Sequence, residues 1–551
     1  MPPWDRGVSH NKTGRRSGHC QISLWSRTLL RRGHPTPGIA TVEGVTGQLD
    51  IPRAAVETSI DGGRVRGTRV GGVTLWRGIP YAAAPVGELR FRAPEPPQPW
   101  TGTLDASRFG PIPPQEISRK LADPGADVEA SEDCLSINVT APAGARSEPL
   151  PVMVYIYGGS NTSGSAALDL YEGSALARDG NVVVVSFNYR LGALGFLDFS
   201  GYATSRQAFD TNLGLRDQIA ALEWVRDNIA AFGGDPSNVT IFGESAGGIA
   251  VTALLCSPRA QGLFHRAIAQ SPAIATTYEP QRARAVAAEF LDILDVCEHH
   301  AAEVLRGIPA AEFVAAADEL KQRVMRTAPG AMAFGHVLDD LLPERPLDVL
   351  SSGRGPTVPL LIGTTDREGA LFARGPEVIP TTIPSIERMF ARTDPDRRDA
   401  VAAAYRGYPG RPAAIELGGD AMFWHPTLEA ASGHSAVAPT FMYRYDYAPR
   451  MLRLLRMGAT HATDLPAVFG TLDSRAAKVL TSVGGRRDLA AVSQRMRQHW
   501  TSFARDGEPR PDWPRYDTTA RRTMIFDVQD RVDRDPRAAR RLAWNGYRTY
   551  R

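Results

Sequence analysis

Apolar positions in this 551-residue chain follow two periods, and the two alternate along most of its length. Short unbroken apolar runs at residues 152–157 and 182–187 have the length of strands buried on both faces. Runs at 239–242, 358–362 and 441–445 read as further strands. Before the third of these runs, Leu215, Ile219, Leu222, Val225 and Ile229 recur at spacings of three and four, which marks one face of a helix. Strands alternating with helices predict an α/β fold with a large, mostly parallel central sheet flanked by helices. Upstream, residues 41–91 are rich in Gly, Val, Thr and Arg and contain alternating stretches such as 72–77, which predicts antiparallel hairpins at a sheet edge. A proline-rich surface stretch follows at 94–114. Residues 280–350 are alanine-rich and helical in pattern, and are expected to sit as a cap over the strand ends. No repeat or linker divides residues 41–551, which are expected to form one domain with insertions.

Composition sets the limits of this picture. At 43 % hydrophobic and 22 % charged residues the chain is an ordinary globular sequence. No apolar run approaches the ~20 residues that cross a bilayer, so no integral membrane segment is predicted. The net charge of +3 is unevenly spread. Residues 1–40 hold seven basic residues against one acid, whereas the rest has 56 basic and 59 acidic residues and is net −3. The basic stretch has no period and no apolar core of signal-peptide length. It reads as a disordered tail, or as codons upstream of the true start, rather than as an arm for nucleic acid or membrane. Cys20, Cys134, Cys256 and Cys297 are widely scattered without metal spacing, and are expected to be structural thiols.

The candidate chemistry centres on Gly243-Glu244-Ser245-Ala246-Gly247, which follows the short β run at 239–242 and a Gly-Gly-Asp-Pro turn. Gly-x-Ser-x-Gly between a strand and a small-residue helix is the nucleophile elbow, a strained turn that exposes the serine hydroxyl above a sheet. Glycines are expected at 243 and 247 because a Cβ would collide with the adjoining strand and helix. A serine hydroxyl is a weak nucleophile near neutral pH and needs a base, itself oriented by an acid. Elbow serines are followed in chain order by the acid and then the histidine. Only His425, His434, His461 and His499 come late enough. His461 lies in a small-residue loop after the strand at 441–445, whereas His499 reads as a surface or packing residue in a helix. For the acid, Glu368 and Asp366 both lie in the loop after the strand at 358–362. Stabilising the developing oxyanion requires backbone N–H donors. The loop Tyr157-Gly158-Gly159-Ser160 and the amide of Ala246 are the candidates.

At these residues the sequence resembles the type-B carboxylesterases of the α/β-hydrolase fold, a family that includes mammalian carboxylesterases, cholinesterases and bacterial para-nitrobenzyl esterases. The resemblance runs from about residue 42 to 527. It also includes Gly78-Ile79-Pro80-Tyr81-Ala82, Glu132-Asp133-Cys134-Leu135-Ser136, Asn188-Tyr189-Arg190-Leu191-Gly192 and Phe264-His265-Arg266-Ala267-Ile268. It implies Ser245 as nucleophile, His461 as general base and acid, and Glu368 as the triad acid, since the family's acid directly precedes a glycine, as Glu368 precedes Gly369. The oxyanion donors would be the amides of Gly159, Ser160 and Ala246.

Three departures bear on the site. Ser160 stands where the family commonly has a third glycine, so a positive φ there would be costly. Asn161 stands where an aromatic is usual, and is expected to make the pocket more polar. Cys134 occupies a position that is disulfide-bonded in secreted members, but its partner would fall near Pro113, which favours a reducing, cytoplasmic setting. The activity implied is hydrolysis of short to medium esters, small-molecule substrates, through an acyl-enzyme, with no cofactor, no metal and no nucleic-acid partner. A lipase, an amidase or carbamate hydrolase, and a non-catalytic adhesion member are the alternatives. The last would lack Ser245, Glu368 or His461.

Overall fold

Seven consecutive buried residues, Leu150 to Ile156, make the strand at the middle of the sheet. A run apolar on both faces can be accommodated only where helices cover it from both sides. The computed structural model describes residues 54–116, 128–144, 147–375 and 377–550. The predicted basic tail at 1–40, residues 41–53 of the hairpin region and Cys20 lie outside the described residues.

The strands in chain order are β1 (Ala54–Ile60), β2 (Gly63–Val70), β3 (Val73–Pro80), β4 (Thr103–Asp105), β5 (Ser136–Pro142), β6 (Leu150–Ile156), β7 (Val183–Phe187), β8 (Gly234–Glu244) and β9 (Arg266–Gln270). They continue with β10 (Thr277–Tyr278), β11 (His336–Val337), β12 (Leu360–Thr365), β13 (Thr440–Tyr445), β14 (Arg522–Phe526) and β15 (Arg531–Arg534). Among the described residues, thirteen of them form one sheet in the order β1-β2-β3-β5-β7-β6-β8-β9-β12-β13-β14-β15, with β4 beside β2. From β7 through β14 neighbouring strands are parallel. β1, β2 and β3 are the antiparallel hairpins expected at one edge. β10 and β11 form a separate two-stranded ribbon.

The five predicted central runs are all strands, shifted at their ends by up to a few residues. One expectation is corrected. The predicted turn at Gly233-Gly234-Asp235-Pro236 is mostly strand, since β8 already begins at Gly234. Its start is irregular, with a register shift against β6 and a local bond from the Ser237 N–H to Asp235 Oδ1 at 2.9 Å. Strands β9 and β14 escaped the apolar-run reading because each opens on an arginine and is five residues long.

The helix Leu213–Asn228 buries the predicted face and ends in a tight turn closed by Gly233 at φ 83°. Arg190, just past β7, is clamped to Asp217 of this helix, Nη2 to Oδ1 at 2.6 Å, with both side chains buried. That pair accounts for the Asn-Tyr-Arg-Leu-Gly motif: it fixes the chain as it leaves the strand end. Residues 280–350 are mainly helical, as expected, with helices Pro280–Ile293, Ala301–Gly307, Ala310–Thr327 and Pro346–Ser351. His425 and His434 are buried in one helix, and His499 packs on Trp513 and Phe526, so all three are accounted for by packing. Among the described residues Cys134, Cys256 and Cys297 are free thiols, and no helix is long and apolar enough to cross a membrane.

Candidate active site

Three parallel strands, β8, β12 and β13, deliver the candidate residues at their carboxyl ends. Ser245 follows β8 at φ 57° and ψ −121°, a conformation rarely adopted by residues other than glycine. Its amide donates to the Gln270 carbonyl of β9 at 2.9 Å, which holds the turn. A Cβ on Gly247 would drive into the Ile156 carbonyl of β6, so glycine is required there by close approach. Ala246 is the first residue of the helix Ala246–Cys256 and is buried, its amide belonging to the free N-terminal turn.

Glu368 lies in the loop after β12. Its Oε1 accepts hydrogen bonds from the Thr365 N–H and from Ser271 Oγ, each at 2.6 Å. Its Oε2 accepts from His461 Nδ1 at 2.6 Å. A carboxylate can only accept, so the proton sits on Nδ1 and the neutral ring leaves Nε2 as its basic nitrogen. His461 comes from the loop after β13, where Ala462 has φ 65° and Thr463 Oγ1 donates to the Thr460 carbonyl. The imidazole is 5 % exposed, wedged between Phe423 and Phe372 with ring centroids at 4.6 and 5.1 Å. Phe423 belongs to a π-helical turn, Asp420–Trp424, of the kind that often re-aims a side chain at functional sites. Asp366, the rival acid, points elsewhere and pairs with Arg537 at 2.7 Å.

The oxyanion-loop candidates follow β6. Stacking of Tyr157 on Tyr189 at 4.5 Å and a bond from Tyr189 OH to the Tyr157 carbonyl at 2.6 Å fix the strand end. Beyond it the chain coils on itself, with the N–H groups of Thr162 and Ser163 donating to the Gly159 carbonyl at 3.0 and 3.1 Å. Ser160 has φ 55° and Asn161 φ 57°, so the positive φ that glycine would relieve is present at Ser160. The expectation for Asn161 is corrected: it is 2 % exposed, and its side-chain amide donates to the Phe334 carbonyl at 3.2 Å. The polar lining of the pocket comes instead from Gln115, Glu116, Ser160, Ser163, Ser165 and Glu244.

Ser245, His461, Gly159 and Ser160 line one cavity of about 380 Å³, within the range of small-molecule sites. Leu168, Leu170, Leu371, Phe372 and Leu465 give it apolar walls.

Two buried carboxylates at the site carried no recognised sequence signal. Glu244 Oε1 is 3.2 Å from His461 Nε2, and Asp464 accepts from Gln270 Nε2 at 3.0 Å and Tyr443 OH at 3.2 Å. Burial pushes the Glu244 carboxyl up to about 8, with Asp464 and Glu368 adding repulsion and His461 opposing it. Burial likewise raises Asp464 to about 6, against the Gln270 bond. For His461, burial disfavours the cation, but Glu244 and Glu368 outweigh it and raise the ring to about 9. Their positions, one residue before Ser245 and three after His461, were on view in the sequence; their convergence was not.

Comparison with known proteins agrees with this architecture. Residues 52–544 match the model of the carboxylesterase family. The para-nitrobenzyl esterase of Bacillus subtilis is 38 % identical over 501 residues, covering 87 % of this chain and 96 % of the relative. Carboxylesterase 3B of Mus musculus is 34 % identical over 533 residues, covering 90 % and 88 %. A solved thermophilic PNB esterase superposes with a TM-score of 0.79 at 38 % identity, covering 88 % of this chain and 99 % of the other. A carboxylesterase of Geobacillus stearothermophilus gives 0.76 at 35 % identity, covering 89 % and 100 %. A strained serine at a strand-to-helix turn, on an α/β-hydrolase sheet matched over nearly its whole length, makes this chain a member of the carboxylesterase family, a serine-hydrolase enzyme acting on esters.

Proposed function

We propose that the enzyme hydrolyses short to medium chain esters of small molecules through an acyl-enzyme formed on Ser245. Ser245 Oγ attacks the ester carbonyl carbon while His461 Nε2 takes its proton. Glu368 holds the ring in the tautomer that leaves Nε2 free and stabilises the imidazolium that forms. The carbonyl electron pair moves onto oxygen, where the N–H groups of Gly159, Ser160 and Ala246 receive it. Collapse expels the alcohol, which takes the proton from His461. Water then attacks the acyl carbon by the same route, and the carboxylic acid leaves as Ser245 is regenerated.

The observation that carries this reading is the 2.6 Å bond between His461 Nδ1 and Glu368 Oε2, made beside a cavity that Ser245 also lines. The size and mixed walls of that cavity favour compact esters over long triglyceride chains. Cys134 as a buried free thiol supports a reducing, cytoplasmic setting. The test is Ser245→Ala. It is expected to abolish hydrolysis of short para-nitrophenyl esters and covalent labelling by a fluorophosphonate, and labelling that persists in the variant ends the proposal.

A further inference from the structure

The loop offered above as the source of two oxyanion donors is gripped from outside by one side chain. Gln115, from the segment after the isolated bridge of Ile112 to Ala130, reaches Gly164 at the loop's exit. Its Oε1 accepts from the Gly164 N–H at 2.9 Å, and its Nε2 donates to the Gly164 carbonyl at 2.8 Å. The same Nε2 donates to the Pro113 carbonyl at 3.0 Å, which anchors the amide to its own segment. A side-chain amide here satisfies both backbone groups of one residue, as a neighbouring strand would.

The grip matters because of what Gly164 touches. It sits at φ 112°, and a Cβ there would strike the Gly158 carbonyl and the Tyr157 ring. A Cβ on Gly159 would strike the Ser163 carbonyl. The entry and exit of the loop are therefore packed backbone on backbone, and the Thr162 and Ser163 amides tie the coil to the Gly159 carbonyl. Such a contact has no soft side chain to absorb a displacement, so a shift of Gly164 moves Gly158 to Ser160 with it. Two non-glycine residues at positive φ, Ser160 and Asn161, make the coil strained and dependent on outside restraint.

We infer that Gln115 is a positioning residue for the oxyanion loop: it fixes Gly164, and through the packed coil it aims the amides of Gly159 and Ser160. This rests on the ester-hydrolase reading above and adds to it the residue that sets the donor geometry. The effect is on the transition state. Donors must lie within hydrogen-bond reach of the oxyanion, not of the ground-state carbonyl, and an error of about 1 Å in such a site can cost on the order of 100-fold.

Gln115 also lines the cavity, so it could instead act by touching substrate. The two roles separate kinetically. The experiment compares wild type, Gln115→Met and Gln115→Glu on para-nitrophenyl butyrate and measures inhibition by an alkyl trifluoromethyl ketone. Met keeps the length and loses both bonds to Gly164. Glu keeps an acceptor for the Gly164 N–H but sets a carboxylate against the Gly164 and Pro113 carbonyls. The ketone reports on the loop directly. Ser245 Oγ bonds to its carbonyl carbon, the serine proton passes to His461 Nε2, and the carbonyl pair becomes an oxyanion held by the loop.

In both variants kcat should fall about 10- to 100-fold with KM changed less than about threefold, and ketone affinity should fall by the same factor as kcat/KM. A rise in KM with kcat and ketone affinity intact overturns the inference in favour of substrate contact. Lost kcat with full ketone affinity also overturns it, as does a variant that merely melts at lower temperature. Should one variant fail to fold, the other decides. Wild type that neither turns over the ester nor binds the ketone takes down the parent reading as well; an active wild type with indifferent variants removes this inference alone.

Discussion

Glu244 Oε1 lies 3.2 Å from Nε2 of His461, the ring nitrogen opposite the one that bonds Glu368. The imidazole is thus held between two buried acidic side chains, which outweigh the effect of burial and raise it to about 9. On the proposed mechanism only the neutral ring can take the Ser245 proton, so the acid limb of kcat/KM should have its midpoint well above the ordinary imidazole value of about 6.5. Replacing Glu244 by Gln removes one source of that elevation while keeping the size of the side chain. The limb is expected to move to lower pH by about one unit or more. A limb that stays in place would show that Glu244 does not act on the ring in solution. The measurement is a pH profile of kcat/KM on a neutral ester for both proteins.

Glu244 and His461 also couple stability to pH, in the opposite sense to activity. Glu244 holds its proton up to about 8 in the folded state, against 4.5 normally, so its contribution is complete below 4.5 and is lost as pH rises through 8. His461 is raised from 6.5 to about 9, so its contribution is complete below 6.5 and is lost as pH rises through 9. Both terms fall across the interval from pH 6 to 9. The Tm of wild type should decline over that interval, and the decline should be shallower for Glu244→Gln, as read by thermal unfolding in buffers of matched ionic strength.

Glu368 and Asp366 sit two residues apart on one loop and do different jobs. Glu368 accepts three bonds at the site, one of them from His461. Asp366 is paired with Arg537 at 2.7 Å and approached by Arg444 at 3.7 Å, so it ties the loop to the C-terminal segment. If Glu368 is the triad acid, as proposed, Glu368→Gln should lower kcat by about 10³–10⁴, the loss seen when such an acid can no longer fix the tautomer. Asp366→Asn should leave kcat within about tenfold and reduce stability by about 1–2 kcal/mol, a value kept low because the carboxylate is 35 % exposed. Steady-state kinetics and denaturant unfolding of the two variants give the comparison, and a larger kcat loss for Asp366→Asn reverses the assignment.

The sheet was legible because its central strands are apolar on both faces: residues 152–157 contain no polar group except tyrosine hydroxyls, and their buried counterpart is Leu150–Ile156. The elbow was legible because a fixed local geometry demands glycines at fixed offsets from Ser245. The loop positions of His461 and Glu368 followed from strand ends, though choosing Glu368 over Asp366 needed the family resemblance. Other features were out of reach for a physical reason. The influence of Glu244 on the imidazole arises only where the end of β8 meets the loop after β13, and no local period records that. Asn161 misled because its side chain serves the Phe334 backbone across 173 residues of sequence.

Ser160 offers a test of how much strain the proposed oxyanion loop carries. At φ 55° it occupies a region that disfavours residues with a Cβ by about 1–2 kcal/mol. Glycine relieves that strain but gives the unfolded chain more freedom, worth about 0.4–1 kcal/mol against it. Ser160→Gly is therefore expected to stabilise the protein by up to about 1.5 kcal/mol, with kcat within about threefold because the backbone N–H is retained. The neighbouring Asn161 has the same sign of φ but also a buried bond to the Phe334 carbonyl at 3.2 Å. Asn161→Ala keeps the unfavourable φ and strips that carbonyl of its donor, so it should destabilise by about 1–3 kcal/mol and lower kcat as the coil loosens. Denaturant unfolding read alongside esterase kinetics distinguishes the two. If Ser160→Gly lost stability and turnover together, the Ser160 side chain, and not its backbone alone, would be holding the coil in place.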